Sequence, residues 1–119
     1  MLIAKEFTFD AAHKLLRYKG KCANLHGHTY KLHVVLSGVV QKNGIVVDFT
    51  DVKRIVNNKV ISVLDHQYIN DVIKQSTAEN IAIWIWDQLA KSLPLYEIKL
   101  WETPTNFVVY QGPDYEKQK

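Results

Sequence analysis

The run Cys22-Ala23-Asn24-Leu25-His26-Gly27-His28 places a thiol and two imidazoles within seven residues. His26 and His28 are two apart, just ahead of a stretch, Thr29 to Val40, that alternates like a strand. Side chains at i and i+2 of a strand share a face, so both rings can converge on one ion. His13 follows another strand-like run upstream. Three imidazoles with a fourth position left open make a catalytic zinc arrangement rather than a structural one, and the metal then stabilises negative charge developing on an oxygen. The plainer reading is a set of polar residues at the start of a strand. His33 has the opposite parity to His26 and His28 and is expected to face away.

Other groups nearby could share in proton transfer. Cys22 sits four residues before His26, next to Lys21. Cationic neighbours or a metal lower a thiol's pKa and make it a competent base or nucleophile; otherwise a lone cysteine behaves as a small buried hydrophobe. Asp65-His66 has the composition of an acid/base unit, an aspartate orienting an imidazole and stabilising its charged form. It could equally be a helix C-terminus at which His66 favours the dipole. Glu102 shares strand parity with Ile98 and Leu100 and would follow them toward the core, where a carboxylate needs partners. A ligand edge with two parallel N–H donors, such as the amino-pyrimidinone of a pterin or guanine, would supply them; a strand ending at Glu102 would leave it solvated. Lys14, Arg17, Lys19 and Lys21 put four positive charges into eight positions, suited to a polyphosphate or to an ordinary solvated loop.

The elements that must position these groups follow from hydrophobic period. Leu2 to Asp10 alternates around Ile3, Lys5, Phe7 and Phe9 and predicts a strand. His13 has the parity of the phenylalanines, although Ala11-Ala12 leaves open a bulge or a strand end before it. Thr29 to Val40 puts Tyr30, Leu32, Val34 and Leu36 on the face of His26 and His28. Gln41-Lys42-Asn43-Gly44 carries the Asn-Gly of a tight turn, after which Ile45 to Phe49 is expected to return as the partner strand. Thr50 then caps a helix with Val52, Ile55, Val56, Val60, Val63 and Leu64 on one face. Ser76 and Glu79 have capping-box spacing for a second helix, buried along Ala78, Ile81, Ala82, Ile85 and Leu89 and stopped by Pro94. Tyr96 to Glu102, a turn over Thr103 to Asn106, and Phe107 to Gln111 close the fold, with Gly112 to Lys119 frayed. This order is that of an α+β domain, an antiparallel sheet with helices on one face.

Composition narrows the function classes. A chain of 119 residues holds one domain with a real core. Its 47% hydrophobic and 23% charged residues fit a soluble globular protein. A formal net charge of +3 suits an anionic small molecule; without an RNA-binding signature or a dense basic block interleaved with aromatics, no nucleic-acid partner is expected. One cysteine rules out an intrachain disulfide and fits a reducing cytoplasm. No basic start precedes a long apolar run, so a secretory signal is not expected, and nothing approaches the roughly 20 apolar residues of a membrane span. No glycine-rich dinucleotide fingerprint is present.

Taken in order, several motifs resemble those of the 6-pyruvoyl-tetrahydropterin synthase family, from Phe7 to Gly112. They are Phe9-Asp10-Ala11-Ala12-His13, the Cys22 to His28 run, Ile45-Val46-Val47-Asp48-Phe49, Leu64-Asp65-His66, Thr77-Ala78-Glu79-Asn80 and Trp101-Glu102-Thr103. Within the family they look most like the 6-carboxy-tetrahydropterin synthases of queuosine biosynthesis. The resemblance implies zinc held by His13, His26 and His28, Cys22 as a thiolate base, and Asp65 with His66 as a second acid/base unit. It implies Glu102 as the anchor of a pterin ring, helped by Thr77. It also implies the tunnelling fold (T-fold), a single domain over residues 1–119 with a four-stranded antiparallel sheet and two helices on one face. Trimers would close into a barrel and stack in pairs as a cytoplasmic homohexamer with sites between subunits.

The implied activity is a zinc-dependent lyase reaction that converts 7,8-dihydroneopterin triphosphate to 6-carboxy-5,6,7,8-tetrahydropterin, acetaldehyde and triphosphate. Hydrogen would pass from side chain to ring within the substrate, so no nicotinamide is needed. Three residues between Cys22 and His26, and the pair Asp48-Phe49, resemble the queuosine-type pattern, whereas animal-type pyruvoyl synthases resemble a longer loop. The rival within the family is elimination without carbon–carbon cleavage, giving 6-pyruvoyl-tetrahydropterin. The rival outside it is a non-catalytic zinc-binding assembly module. The short loop from Leu15 to Lys21 departs from the family pattern, so no triphosphate contact is carried over.

Overall fold

The computed structural model describes residues 1–117. Four antiparallel strands lie side by side in chain order: β1 (Leu2–His13), β2 (His26–Ser37), β3 (Leu95–Trp101) and β4 (Phe107–Tyr110). Between β2 and β3 the chain forms α1 (Phe49–Val56), a π-helical turn (Asn57–Ile61), α2 (Ser62–Leu64) and α3 (Ala78–Leu89), and α4 (Pro113–Lys117) follows β4. Alternation puts Phe7, Phe9, Ala11 and His13 of β1, Tyr30, Leu32, Val34 and Leu36 of β2, and Ile98 and Leu100 of β3 on one buried face. The helices cover that face, with Val52, Val56, Val60 and Leu64 from the first run and Ile81, Ala82, Ile85 and Leu89 from α3 joining the same core. The opposite face carries Glu6 against His33 at 2.7 Å and Lys31 over the Trp101 ring. His33 does face away from the other histidines.

β1 and β2 pair without interruption from Leu2↔Ser37 to His13↔His26, with Phe9 stacked on Tyr30 at 5.0 Å. Ala11-Ala12 neither bulges nor ends the strand. On its open side, the Ala12 N–H donates to the Gln67 carbonyl at 3.1 Å, and Ala12 bridges Tyr68 in parallel. The backbone of the pair is therefore held from both sides. β2 begins earlier than the alternation suggested and ends at Ser37, so both metal-ligand candidates lie inside the strand.

The expected return strand, Ile45 to Phe49, does not form. The Asn43-Gly44 turn closes, with the Gly44 N–H donating to Gln41 O at 2.8 Å and the Gln41 N–H to Ile45 O at 3.2 Å. Beyond it, β2 already has β1 on one side and β3 on the other, so no edge is left for a further strand. Asp48, not Thr50, caps α1, its carboxylate accepting the Thr50 N–H at 2.8 Å. Val52, Val56, Val60 and Leu64 recur every four residues, which a 3.6-residue helix would rotate progressively off the sheet. The wider π-helical turn absorbs that drift.

Thr77 rather than Ser76 caps α3, accepting the Asn80 N–H at 3.1 Å. The helix ends at Leu89, before Pro94 can act on it; Pro94 instead offers its carbonyl to the Ser37 N–H. Glu102 lies just past the end of β3. The terminal segment is helical over Pro113–Lys117 rather than frayed, and Gln118 and Lys119 lie outside the described residues. It is entered through Gly112 at φ +96, where a Cβ would strike the Trp86 ring at 2.5 Å.

Leu64 closes the first helical run with none of its surface exposed. Leu64→Ala is expected to cost about 2–5 kcal/mol of unfolding free energy. Urea denaturation checks this, and a loss below about 1 kcal/mol would show that the site can collapse around the cavity.

Candidate active site

Register sets His13 on β1 opposite His26 on β2, with His28 two positions along. One ring nitrogen from each lies within 4.8 Å of the others. His13 is 1% exposed, and its Nδ1–H donates to the Ser76 carbonyl at 2.7 Å. His26 Nδ1–H donates to the Asn24 carbonyl at 2.7 Å. A carbonyl can only accept, so both rings carry a hydrogen on Nδ1 and turn the Nε2 lone pair inward when neutral. Burial pushes His13 and His28 below the ordinary histidine range, against the opposing pull of Glu102.

Those two inward Nε2 atoms are 3.1 Å apart, and lone pairs facing at that distance repel. His28 Nε2 is buried with no hydrogen-bond partner among the described residues. A cation that accepts imidazole nitrogens removes both problems at once. Nitrogen ligands at about 2.0–2.1 Å around tetrahedral zinc sit about 3.3 Å apart, close to the spacing seen. Imidazoles whose second nitrogen donates to a carbonyl are the usual metal-binding form. The three histidines therefore fit an imidazole-preferring metal ion.

A polar hub holds His13 from behind. Ser76 is fully buried, and its hydroxyl donates to Asn70 Oδ1 at 3.1 Å. Asn70 grips the residue after His13 twice, accepting the Lys14 N–H at 3.0 Å and donating to Lys14 O at 2.9 Å. Gln75 repeats this on Leu16, at 2.8 and 2.9 Å, and Asn80 Nδ2 donates to Gln75 O. Sequence reasoning gave Asn70 and Gln75 no role and took Ser76 for a helix cap. The only signal was a local density of carboxamides, which by itself points nowhere.

Glu102 has left the strand, its N–H donating to Asn106 O at 3.0 Å. Its carboxylate nevertheless stays on the inner side, 3.8 Å from His28 Nε2 and 3.9 Å from His13 Nε2. It lines a cleft of about 460 Å³ together with Cys22, Thr77 and Arg17. Cys22 is half-buried in a 3-10 turn, Lys21–Ala23. Lys14, Lys19 and Lys21 do not line that cleft.

Asp65 and His66 follow α2 directly. His66 takes a left-handed backbone, φ 60, and its N–H donates to the Asp10 carbonyl at 2.6 Å. That turn lets neighbouring side chains meet, with Asp65 Oδ1 3.0 Å from His66 Nδ1. Asp65 also accepts the Asp10 N–H at 3.0 Å. The Asp10 hydrogen bond first, and then that from His66, hold the Asp65 carboxyl below the usual range. The pair lies by a cleft of about 610 Å³ lined by His66, Asp10, Thr29 and His28. One chain thus gathers His13, His26, His28 and Glu102 in one place and Cys22 with Glu102 and Thr77 in one cleft. His66 lines a different cleft, which His28 also lines.

Residues 2–113 match the family model described as 6-pyruvoyl tetrahydropterin synthase. The chain is 40% identical to the 6-carboxy-5,6,7,8-tetrahydropterin synthase of Haemophilus influenzae, over 92% of this chain and 97% of the relative. It is 37% identical to the 6-pyruvoyl tetrahydrobiopterin synthase of Dictyostelium discoideum, over 94% of this chain and 96% of the relative. The structure of Caenorhabditis elegans 6-pyruvoyl tetrahydropterin synthase superposes with a TM-score of 0.86 at 30% identity, covering 94% of this chain and 95% of that one. The tunnelling fold expected from the sequence is the fold found.

Asn70→Ala would release Lys14 and leave the Ser76 hydroxyl to find another acceptor. Losing such support around a metal-ligating histidine lowers metal affinity about 10- to 100-fold. Competition against a chromophoric chelator measures this for zinc, and an unchanged affinity would show that the Ser76 carbonyl positions His13 without the amide hub.

Proposed function

The chain belongs to the 6-pyruvoyl tetrahydropterin synthase family, and from that footing we propose that it is a zinc-dependent 6-carboxy-5,6,7,8-tetrahydropterin synthase. In this reading it is a lyase that converts 7,8-dihydroneopterin triphosphate and one water to 6-carboxy-tetrahydropterin, acetaldehyde and triphosphate. The observation that carries the reading is the cluster of three inward imidazoles with the Glu102 carboxylate 3.8–3.9 Å away. A metal site beside a carboxylate suits a substrate with hydroxyls at one end and a hydrogen-bonding ring at the other.

His13, His26 and His28 would hold the zinc. When bound, zinc supplies a Lewis acid that makes substrate hydroxyls more acidic. Glu102 accepts two parallel N–H groups from the amino-pyrimidinone edge, which orients the ring and fixes the side chain over the histidines. Thr77, in the same cleft, assists ring binding. Cys22 exchanges a proton with the substrate side chain. Asp65 holds the proton on His66 Nδ1, which leaves Nε2 to accept and return a second one. Hydrogen moves from side chain to ring within the substrate, so no external reductant enters.

The proposed assembly is a cytoplasmic homohexamer. Two observations support association with sites shared between chains: Cys22 and His66 line different clefts of one chain, and the sheet has two outer strands, β1 and β4, with Phe107 and Val109 of β4 about half exposed. A neighbouring chain would bring its own acid/base pair to complete the site. The three-residue spacing between Cys22 and His26 favours carboxy- over pyruvoyl-tetrahydropterin as product; identities of 40% and 37% to the two kinds of relative do not separate them.

Mass spectrometry of products from zinc-loaded protein and 7,8-dihydroneopterin triphosphate, without reductant, tests the reading. 6-Carboxy-tetrahydropterin with acetaldehyde is the expected outcome. 6-Pyruvoyl-tetrahydropterin without acetaldehyde would move the protein to the rival synthase, and unchanged substrate would sink both. Cys22→Ala should retain zinc and lose turnover by about 100-fold or more.

A further inference from the structure

Asp10 received no role from the sequence beyond its place in the Phe9 to His13 motif. In the structure it meets the Asp65–His66 pair in three ways. Its N–H donates to Asp65 Oδ1 at 3.0 Å, its carbonyl accepts the His66 N–H at 2.6 Å, and its carboxylate lies within 4.8 Å of both the Asp65 carboxylate and a His66 ring nitrogen. The carboxylate is also latched. Thr29, its cross-strand partner on β2, donates its hydroxyl to Asp10 Oδ1 at 2.5 Å. Asp10, Thr29 and His66 line one cleft.

Two carboxylates this close repel unless a positive charge joins them. Among the described residues, the titratable groups that line the His66 cleft or pair with His66 are Asp10 from β1, His28 from β2, and Asp65 and Tyr68 from its own segment. Of these, only the two aspartates carry negative charge at neutral pH.

We propose that Asp10 is a positioning residue for the acid/base pair, its main chain fixing the turn that lets Asp65 reach His66 and its Thr29-latched carboxylate setting a second negative charge beside the His66 ring. The catalytic consequence rests on the proton-transfer role given to His66 above; the effect on the imidazole does not.

The variant is Asp10→Asn, which removes the charge and keeps both main-chain hydrogen bonds. The first measurement is a pH titration of His66 by NMR, on zinc-loaded protein with labelled histidine and no substrate, the resonance identified with His66→Gln. The second is the pH profile of kcat/KM on 7,8-dihydroneopterin triphosphate. The His66 midpoint should fall by about half a pH unit at low ionic strength. As His66 must be deprotonated to accept a proton, the acid limb should move to lower pH by the same amount. kcat should drop a few-fold, with KM changing less than about twofold. Asp10→Glu should restore most of both shifts, and Thr29→Ala should reproduce part of them.

A His66 midpoint that stays in place in Asp10→Asn and in Thr29→Ala overturns the proposal. A shifted midpoint with an unmoved acid limb upholds the link between Asp10 and His66 and removes His66 from proton transfer. If the wild type turns over no substrate, the proposed function fails, and the titration still decides the role of Asp10.

Discussion

The unbroken pairing of β1 with β2 is the constraint on which the rest of the molecule depends. Side chains alternate with a period of two, so a one-residue slip would send every inward group of a strand to the other face. Phe7, Phe9, Tyr30, Leu32, Val34 and Leu36 hold the register because only one setting buries them all. The same setting brings His13 opposite His26 and leaves His28 beside them. Apolar residues with no chemistry of their own therefore decide where three imidazoles meet. The open side of β1 takes up the segment after α2 through Asp10 and Ala12, so one strand fixes both the three-histidine cluster and the Asp65–His66 pair.

Most of the polar groups buried behind the histidine cluster are satisfied by a partner. His13 is enclosed, yet its Nδ1–H has the Ser76 carbonyl, and the Ser76 hydroxyl has Asn70. A fully satisfied buried network is rigid as well as stable. The exceptions on the core side of the sheet, His28 Nε2 and the Tyr30 hydroxyl, belong to neighbouring rings 5.6 Å apart. Each such group left unpaired costs about 1–3 kcal/mol. Their concentration beside the inward Nε2 atoms marks a place built to receive a partner. Burial, with Glu102 adding to it, pushes Tyr30 well above the ordinary phenol range, so its hydroxyl stays neutral beside the cluster.

The three clustered imidazoles and the other candidate site groups sit on different kinds of backbone. The three histidines are on paired strands, which fix their positions tightly. Cys22 lies in a 3-10 turn, His66 in a left-handed turn, and Glu102 at the exit of β3. Each is itself tied down: Cys22 by the Leu15 N–H, which donates to its carbonyl, His66 by Asp10, and Glu102 by Asn106, whose N–H donates to the Thr103 hydroxyl. Rigid strands under constrained turns hold the candidate site in place without every one of its groups being buried.

Much of this was written in local pattern. Period-two alternation gave the inward faces of β1 and β2, the shared face of His26 and His28, and the outward turn of His33; helical period gave the buried stripe of α3. Composition and motif order, read as a resemblance, gave the family. Where expectation failed, the deciding contacts were distant in the chain. Ile45 to Phe49 has strand-like composition, but β3, some fifty residues later, already occupies the second edge of β2. Ser76 looked like a cap because the sequence could not show His13 arriving at its carbonyl from 63 residues away. Asp65-His66 was ambiguous because only docking against Asp10 holds the turn that joins the two side chains. The sequence alone determined which residues alternate, which faces are apolar and which groups can ligate or titrate, since those follow from side-chain type and backbone period. The tertiary structure decided which of those groups meet, because hydrogen-bond partners and strand neighbours are fixed by packing between segments that no local pattern connects.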